Sequence, residues 1–212
     1  TSELESKGVR MIETPSQTKK GETVIIRAHG VGRYIYDELE KAGANVCDAT
    51  CPFVKKIHNI VAENSSENVP VFIAGDPNHP EVMGIKGHSN GEVHIFNNAA
   101  ELEKFLQSNR ALCEKRIIAV SQTTFSQKEW KKCKEKIKIY CTNPKIFDTI
   151  CSATRKRQDE AAEISKQSDM MIVIGGRHSS NTVKLKAVCS ENCETHLVER
   201  ADELRTIDFS QS

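Results

Sequence analysis

Short β-branched runs, each followed by a polar loop and then a charged segment with periodic apolar residues, constrain this chain more than any other feature. TVII at 23–26, VPVFIAG at 69–75, EVHIF at 92–96, RIIAV at 116–120 and MMIVIG at 170–175 are strand-length and rich in strand-favouring residues. The segments after them, such as RYIYDELEKAG at 33–43 and QKEWKKCKEKIK at 127–138, carry apolar residues at helical spacing. NVCDAT at 45–50 and ETHLVE at 194–199 read as further strands, and SELESKGVRMIE at 2–13 reads as a helix end, a Gly stop and a short strand. Strands that alternate with helices imply parallel sheets joined by right-handed crossovers, hence an α/β class.

Two loop-to-helix junctions share a frame. DATCPFVKK at 48–56 and DTICSATRK at 148–156 each present an Asp, two small or apolar residues, a Cys and a basic run that opens a helix. A thiol at a helix N-terminus has its thiolate favoured, and thiolates ligate metals or attack electrophiles. Cys51 and Cys151 are therefore metal-ligand candidates, against the alternative of small core side chains. Eight cysteines without a C-x-x-C pair, a signal peptide or a membrane-spanning apolar run point to reduced thiols in a cytoplasmic protein, and argue against zinc. Cys113, Cys133, Cys141, Cys189 and Cys193 read as structural or surface thiols. A net charge of +1 gives no footprint for nucleic acid or for a membrane surface.

Four further loops hold the remaining chemistry: RAHGV, GDPNHPEV, SQTTFS and GRHSSNT. Ligands of open parallel sheets bind beyond the carboxyl ends of the strands, so these loops are expected to converge. His29, His79, Thr123, Thr124, Ser179, Ser180 and Asn181 form a phosphate-binding set, with helix capping as the plainer reading of the Ser and Thr runs. Glu81, two residues after His79, is the acid of that group and the proton-transfer candidate; the alternative is a first-turn Glu that complements its helix. No nucleotide-binding glycine motif is present.

AHGV, DATCP, HPEV, SQTT, the IC-x-AT-x-x-RQ pattern at 150–158 and SSN occur in one order from residue 28 to 181. In these motifs the chain resembles the LytB/IspH family of 4-hydroxy-3-methylbut-2-enyl diphosphate reductases. The resemblance implies a trefoil-like α/β protein of three small lobes around a central cavity, with lobes at 1–50, 51–147 and 148–212. It implies a 4Fe-4S cluster on three Cys, two of them Cys51 and Cys151, and an isoprenoid diphosphate substrate. It also implies His29, His79, Ser179, Ser180 and Asn181 as substrate-binding residues, Thr123 as the residue that orients the substrate hydroxyl, and Glu81 as the proton donor. The implied reaction is a reductive dehydroxylation with electrons from a ferredoxin or flavodoxin.

The family's N-terminal GFC-x-GV segment, its HN motif and its C-terminal AGAS-type segment are absent from the sequence. A core fragment is the expectation, with the third cluster Cys in the missing N-terminal segment and no activity of its own. A diphosphate-binding module without redox activity is the alternative, and a Cys51 nucleophile is a third reading that lacks a named base.

Overall fold

The computed structural model describes residues 2–209. After α1 (Ser2–Ser6) and a 3-10 turn (Pro15–Gln17), the chain forms β1 (Thr23–Ile26), α2 (Arg33–Lys41) and β2 (Asn45–Asp48). α3 (Pro52–Asn64) leads into β3 (Val71–Ala74), α4 (Pro80–Lys86), β4 (Val93–Phe96), α5 (Ala99–Ser108) and α6 (Arg110–Cys113). β5 (Arg116–Ser121), α7 (Gln127–Tyr140) and β6 (Asn143–Ile146) follow. α8 (Ser152–Ser165), β7 (Met170–Ile174), α9 (Ser180–Cys189), β8 (Glu194–Val198) and a 3-10 segment (Ala201–Thr206) close the described chain.

The strands form three separate sheets among the described residues: β1-β2, β4-β3-β5-β6 and β7-β8. Every pairing is parallel, as the alternation of strands and helices requires. The central sheet is covered on both faces. Val71 and Ile73 of β3, with Ile118 and Val120 of β5, point to Ile57 and Val61 of α3 and to Val82 and Ile85 of α4. The intervening Phe72, Ala74, Ile117 and Ala119 meet Leu102 and Leu106 of α5 and Trp130 and Ile137 of α7. Adjacent strand residues face opposite sides, so a run apolar at every position belongs to a doubly covered strand.

Local chemistry sets the helix limits. Pro52 and Pro80 occupy first positions, where a missing N–H costs nothing. Asn98 and Ser126 cap α5 and α7 by accepting the N–H groups of Glu101 and Glu129. The strand expected over VRMIE does not form: residues 9–13 lie outside every sheet, with Val9 and Met11 exposed rather than packed on a core face. β6 starts earlier than the KIFDTIC run suggests and includes Pro144, which the edge of the sheet tolerates. α6 and the 3-10 segments, each too short for periodicity to register, are additions to the sequence reading.

Ile118 is fully buried in an inner strand, whereas Ile174 at the end of β7 is 76% exposed. Ile118→Ala should cost about 2–5 kcal/mol in urea unfolding, and Ile174→Ala should stay within about 0.5 kcal/mol. Equal effects from the two would refute this placement of the core.

Candidate active site

In the central sheet, β3 has β4 on one side and β5 on the other, so the strand order reverses between β3 and β5. A crevice opens beyond the carboxyl ends at such a reversal, because successive crossovers leave in opposite directions. The loop after β3 ends at His79, Glu81 follows in the first turn of α4, and the loop after β5 carries Thr123 and Thr124.

Glu81 is 2% exposed and links α4 to the loop after β5. Its Oε1 accepts the Thr123 backbone N–H at 2.6 Å and its Oε2 accepts the Thr123 hydroxyl at 2.7 Å. Burial raises its pKa above the usual carboxylate value, with the two Thr123 bonds pulling the other way. Glu81 does lie in the first turn of α4, where it complements the helix, and it is buried there as well. His79 caps α4, and its Nδ1 accepts the Glu81 backbone N–H at 3.1 Å. In the neutral ring the proton then sits on Nε2, which is left as a donor. The His29 ring meets His79 edge-on, with centroids 5.2 Å apart and planes at 88°. Both imidazoles have lowered pKa values, first through burial and then through the neighbouring charge: Arg27 for His29, and His29 itself for His79.

The two cysteines attach to this group through the backbone. The Cys151 N–H donates to the Thr123 carbonyl at 3.0 Å, and the Cys51 N–H donates to the Ala28 carbonyl at 3.0 Å. Each cysteine is the N-cap of its helix, α3 for Cys51 and α8 for Cys151; each is partly exposed and neither is in a disulfide. Contacts and chain neighbours thus run without a break from Cys51 through Ala28, His29, His79, Glu81 and Thr123 to Cys151. Among the described residues no group of three or more His, Cys, Asp or Glu side chains gathers as a metal site.

The DATC turn is stiffened by Asp48, which accepts both the N–H and the hydroxyl of Thr50 and pairs with Lys55 at 2.6 Å. Its pKa sits at about 2: burial opposes ionisation, but Lys55 and Thr50 outweigh it. On the Cys151 side, the Thr149 hydroxyl bridges the Ser121 N–H and carbonyl at 2.7 Å each. The third sheet reaches this group through α9, where the Thr124 hydroxyl donates to Ser180 Oγ at 2.9 Å. Ser179 also caps α9 through the Thr182 N–H, so the plainer reading of that serine is realised too. Asn181 Oδ1 is buried with no partner, an arrangement native proteins seldom leave unless a partner arrives from outside the chain.

Two contributors escape a reading based on loops. His58 of α3 is 3% exposed and stacks on His88, with centroids 4.1 Å apart and planes at 19°. Gly30, at φ 69°, lies so close that a Cβ there would stand 2.5 Å from His58 Cε1, and one on Gly84 would stand 3.3 Å from His58 Nε2. His88 Nε2 bonds the Val31 carbonyl at 3.0 Å. The pair therefore wedges the His29 loop against the helix that carries Glu81. The signal in the sequence was the seven-residue spacing from Cys51, two turns along one helix face. Lys184, one turn beyond Ser180, is half-buried, with its Nζ 5.2 Å above the Phe125 ring.

The family model for LytB protein matches residues 1–212. The 4-hydroxy-3-methylbut-2-enyl diphosphate reductase of Caldanaerobacter subterraneus subsp. tengcongensis is 45% identical over 205 residues, 95% of this chain and 69% of that protein. The same-named protein of Thermoanaerobacter sp. (strain X514) is 46% identical over 206 residues, 96% of this chain and 69% of that one. Among solved structures, an (E)-4-hydroxy-3-methyl-but-2-enyl diphosphate reductase, described as the terminal enzyme of the non-mevalonate pathway, superposes with a TM-score of 0.65 at 33% identity, covering 96% of this chain and 71% of its own. The Plasmodium falciparum E-1-hydroxy-2-methyl-but-2-enyl-4-diphosphate reductase superposes with a TM-score of 0.80 at 27% identity, covering 97% of this chain and 65% of its own.

His58 has its pKa pushed down to about 4, by burial first and His88 second. The unfolded chain takes up a proton near the ordinary 6.5 while the folded one does not, so stability present above that pH falls as pH drops and is lost by about 4. The loss traceable to this ring is about 3 kcal/mol. His58→Gln should flatten the pH dependence of the unfolding free energy between those two values, and an unchanged slope would place the titration elsewhere.

Proposed function

The chain belongs to the LytB family, and from that premise we propose that it carries the core of a reductase converting (E)-4-hydroxy-3-methylbut-2-enyl diphosphate to isopentenyl and dimethylallyl diphosphates. The observation that carries the proposal is the Glu81–Thr123 pair, a buried acid and hydroxyl at the reversal of the central sheet. The three sheets and their helices are proposed to be lobes at 1–50, 51–147 and 148–212, arranged trefoil-like around a central cavity onto which these loops open.

Cys51 and Cys151 would hold a 4Fe-4S cluster as two of its ligands. The fit is chemical: both are thiols outside any disulfide, partly exposed, at equivalent helix-capping positions and joined through the same bonded run. When bound, such a cluster supplies the electrons, which a ferredoxin or flavodoxin would deliver. Net, the substrate takes up two electrons and two protons and loses its hydroxyl as water.

The chain's own residues bind the substrate and move a proton. His79 donates from Nε2 to the diphosphate, and His29, at right angles to it, donates from a second direction. Ser179, Ser180 and Asn181 add hydroxyl, amide and backbone N–H donors where α9 begins, a place that favours anions. At the other end of the substrate, the Thr123 hydroxyl holds the leaving oxygen, and Glu81 passes its proton through that hydroxyl. Burial suits Glu81 to this, because a carboxylic acid whose pKa is raised keeps its proton nearer neutral pH. No helix among the described residues is long and apolar enough to cross a membrane. A cytoplasmic location remains part of the proposal.

Glu81→Gln keeps the shape and removes the acid. With the cluster in place, turnover should fall by about 10² to 10⁴, while cluster absorbance and substrate affinity persist; turnover within a few-fold of wild type would remove Glu81 from proton delivery. Ser179→Ala combined with Ser180→Ala should raise KM and leave cluster content unchanged, and an unchanged KM would remove these serines from the diphosphate site.

A further inference from the structure

A diphosphate brings two to three negative charges, and the residues assigned to it above are mostly neutral. Desolvation and neighbouring charge lower the pKa values of His29 and His79, which favours their neutral forms. Ser179, Ser180 and Asn181 offer dipoles only. Arg177, just before them, is committed to ion pairs with Glu199 and Glu203, and Arg27 is exposed. Neutral donors orient an anion well, but they leave its net charge uncompensated, and a cation close by offsets that charge.

Lys184 has the place and the freedom to supply that charge. It stands one turn along α9 from Ser180, whose Oγ is bonded to Thr124. Its Nζ lies 5.2 Å above the ring of Phe125, the residue after Thr124, so the ammonium reaches back toward the loop that follows β5. Phe125 is 2% exposed and locked beneath it. Among the described residues no carboxylate stands within ion-pair distance of Lys184, although the chain is rich in such pairs. Its burial opposes the charged form, Asp76 beyond β3 favours it, and the Lys184 charge is felt in turn at His79. A half-buried ammonium with a ring as its near neighbour and no paired anion is costly to keep unless an anion visits it.

We propose that Lys184 is a further substrate-binding residue, whose ammonium is the counter-charge to the diphosphate gathered by His29, His79, Ser179, Ser180 and Asn181. The inference rests on the diphosphate reading of that wall. It adds a point charge, which accepts any phosphate orientation, to a set of directional donors that do not.

The test uses inorganic pyrophosphate as the probe, titrated calorimetrically into the wild-type protein, Lys184→Met, Lys184→Arg and the Ser179→Ala/Ser180→Ala variant, with a melting curve for each. Lys184→Met should retain the wild-type melt, since an apolar chain suits the Phe125 surface, and should bind pyrophosphate about 10- to 100-fold more weakly. Lys184→Arg should recover most of the loss. If Lys184→Met binds within about 3-fold of wild type while the serine variant is impaired, the wall stands and Lys184 is no part of it. An Arg variant as weak as the Met variant would also overturn the role of charge. Should Lys184→Met fail to fold, Lys184→Gln takes its place under the same criteria. Wild-type protein that binds no pyrophosphate would overturn the wall reading itself, and this inference with it.

Discussion

A carboxylate buried at the reversal of a parallel sheet is expensive, and much of this structure follows from how that expense is met. Removing a charged carboxyl from water costs several kcal/mol unless its oxygens find donors. Glu81 finds both in one residue, Thr123, through its backbone and its side chain. A residue gripped at two points has little freedom left, and the carbonyl of that same Thr123 takes the N–H of Cys151. One paired acid therefore ties together the loops of the two inner strands and the entry to α8.

Directional bonds of this kind, rather than large apolar surfaces, hold the outer sheets to the central one. α8 shows this most clearly, for its buried residues include Thr154 and Gln158, and its apolar pattern is weak. Gln158 accepts the Gln127 N–H at 3.1 Å and donates to the Phe125 carbonyl at 3.2 Å, so the helix docks by bridging backbone groups that burial would otherwise orphan. On the other side, Gly87 and Gly32 approach until a Cβ on Gly87 would stand 2.5 Å from the Gly32 Cα, and the Arg33 N–H reaches the Gly87 carbonyl at 3.2 Å. Hydrogen bonds and close backbone contacts permit few orientations. Loops from three sheets can thus be aimed with the precision that chemistry demands.

Legibility in the sequence followed the range of the physics involved. Strands of the central sheet are readable because β3 is apolar throughout and β5 is apolar from Ile117 to Val120, and helices such as α3 and α7 because their buried residues recur at three, four or seven. VRMIE looked like a strand and is not one, since a strand needs an edge to pair with and its own residues do not reveal whether one exists. His58 and Lys184 are hard to read from sequence for the converse reason: each sits inside a helix, α3 or α9, whose formation accounts for the residue without its contacts.

What the sequence determined by itself was the α/β class, the order of strands and helices, the equivalence of the two cysteine junctions and the set of polar residues at the strand ends. All of these rest on short-range preferences: side-chain period, capping and the backbone limits of Pro and Gly. The tertiary structure alone decided the strand order of the central sheet, and so where its direction reverses and which loops meet. It alone made the first-turn Glu81 a buried carboxylate held by a residue 42 positions away. Burial and bonds between distant residues set the surroundings of Glu81 and Thr123, and no local pattern encodes a neighbour that lies far along the chain.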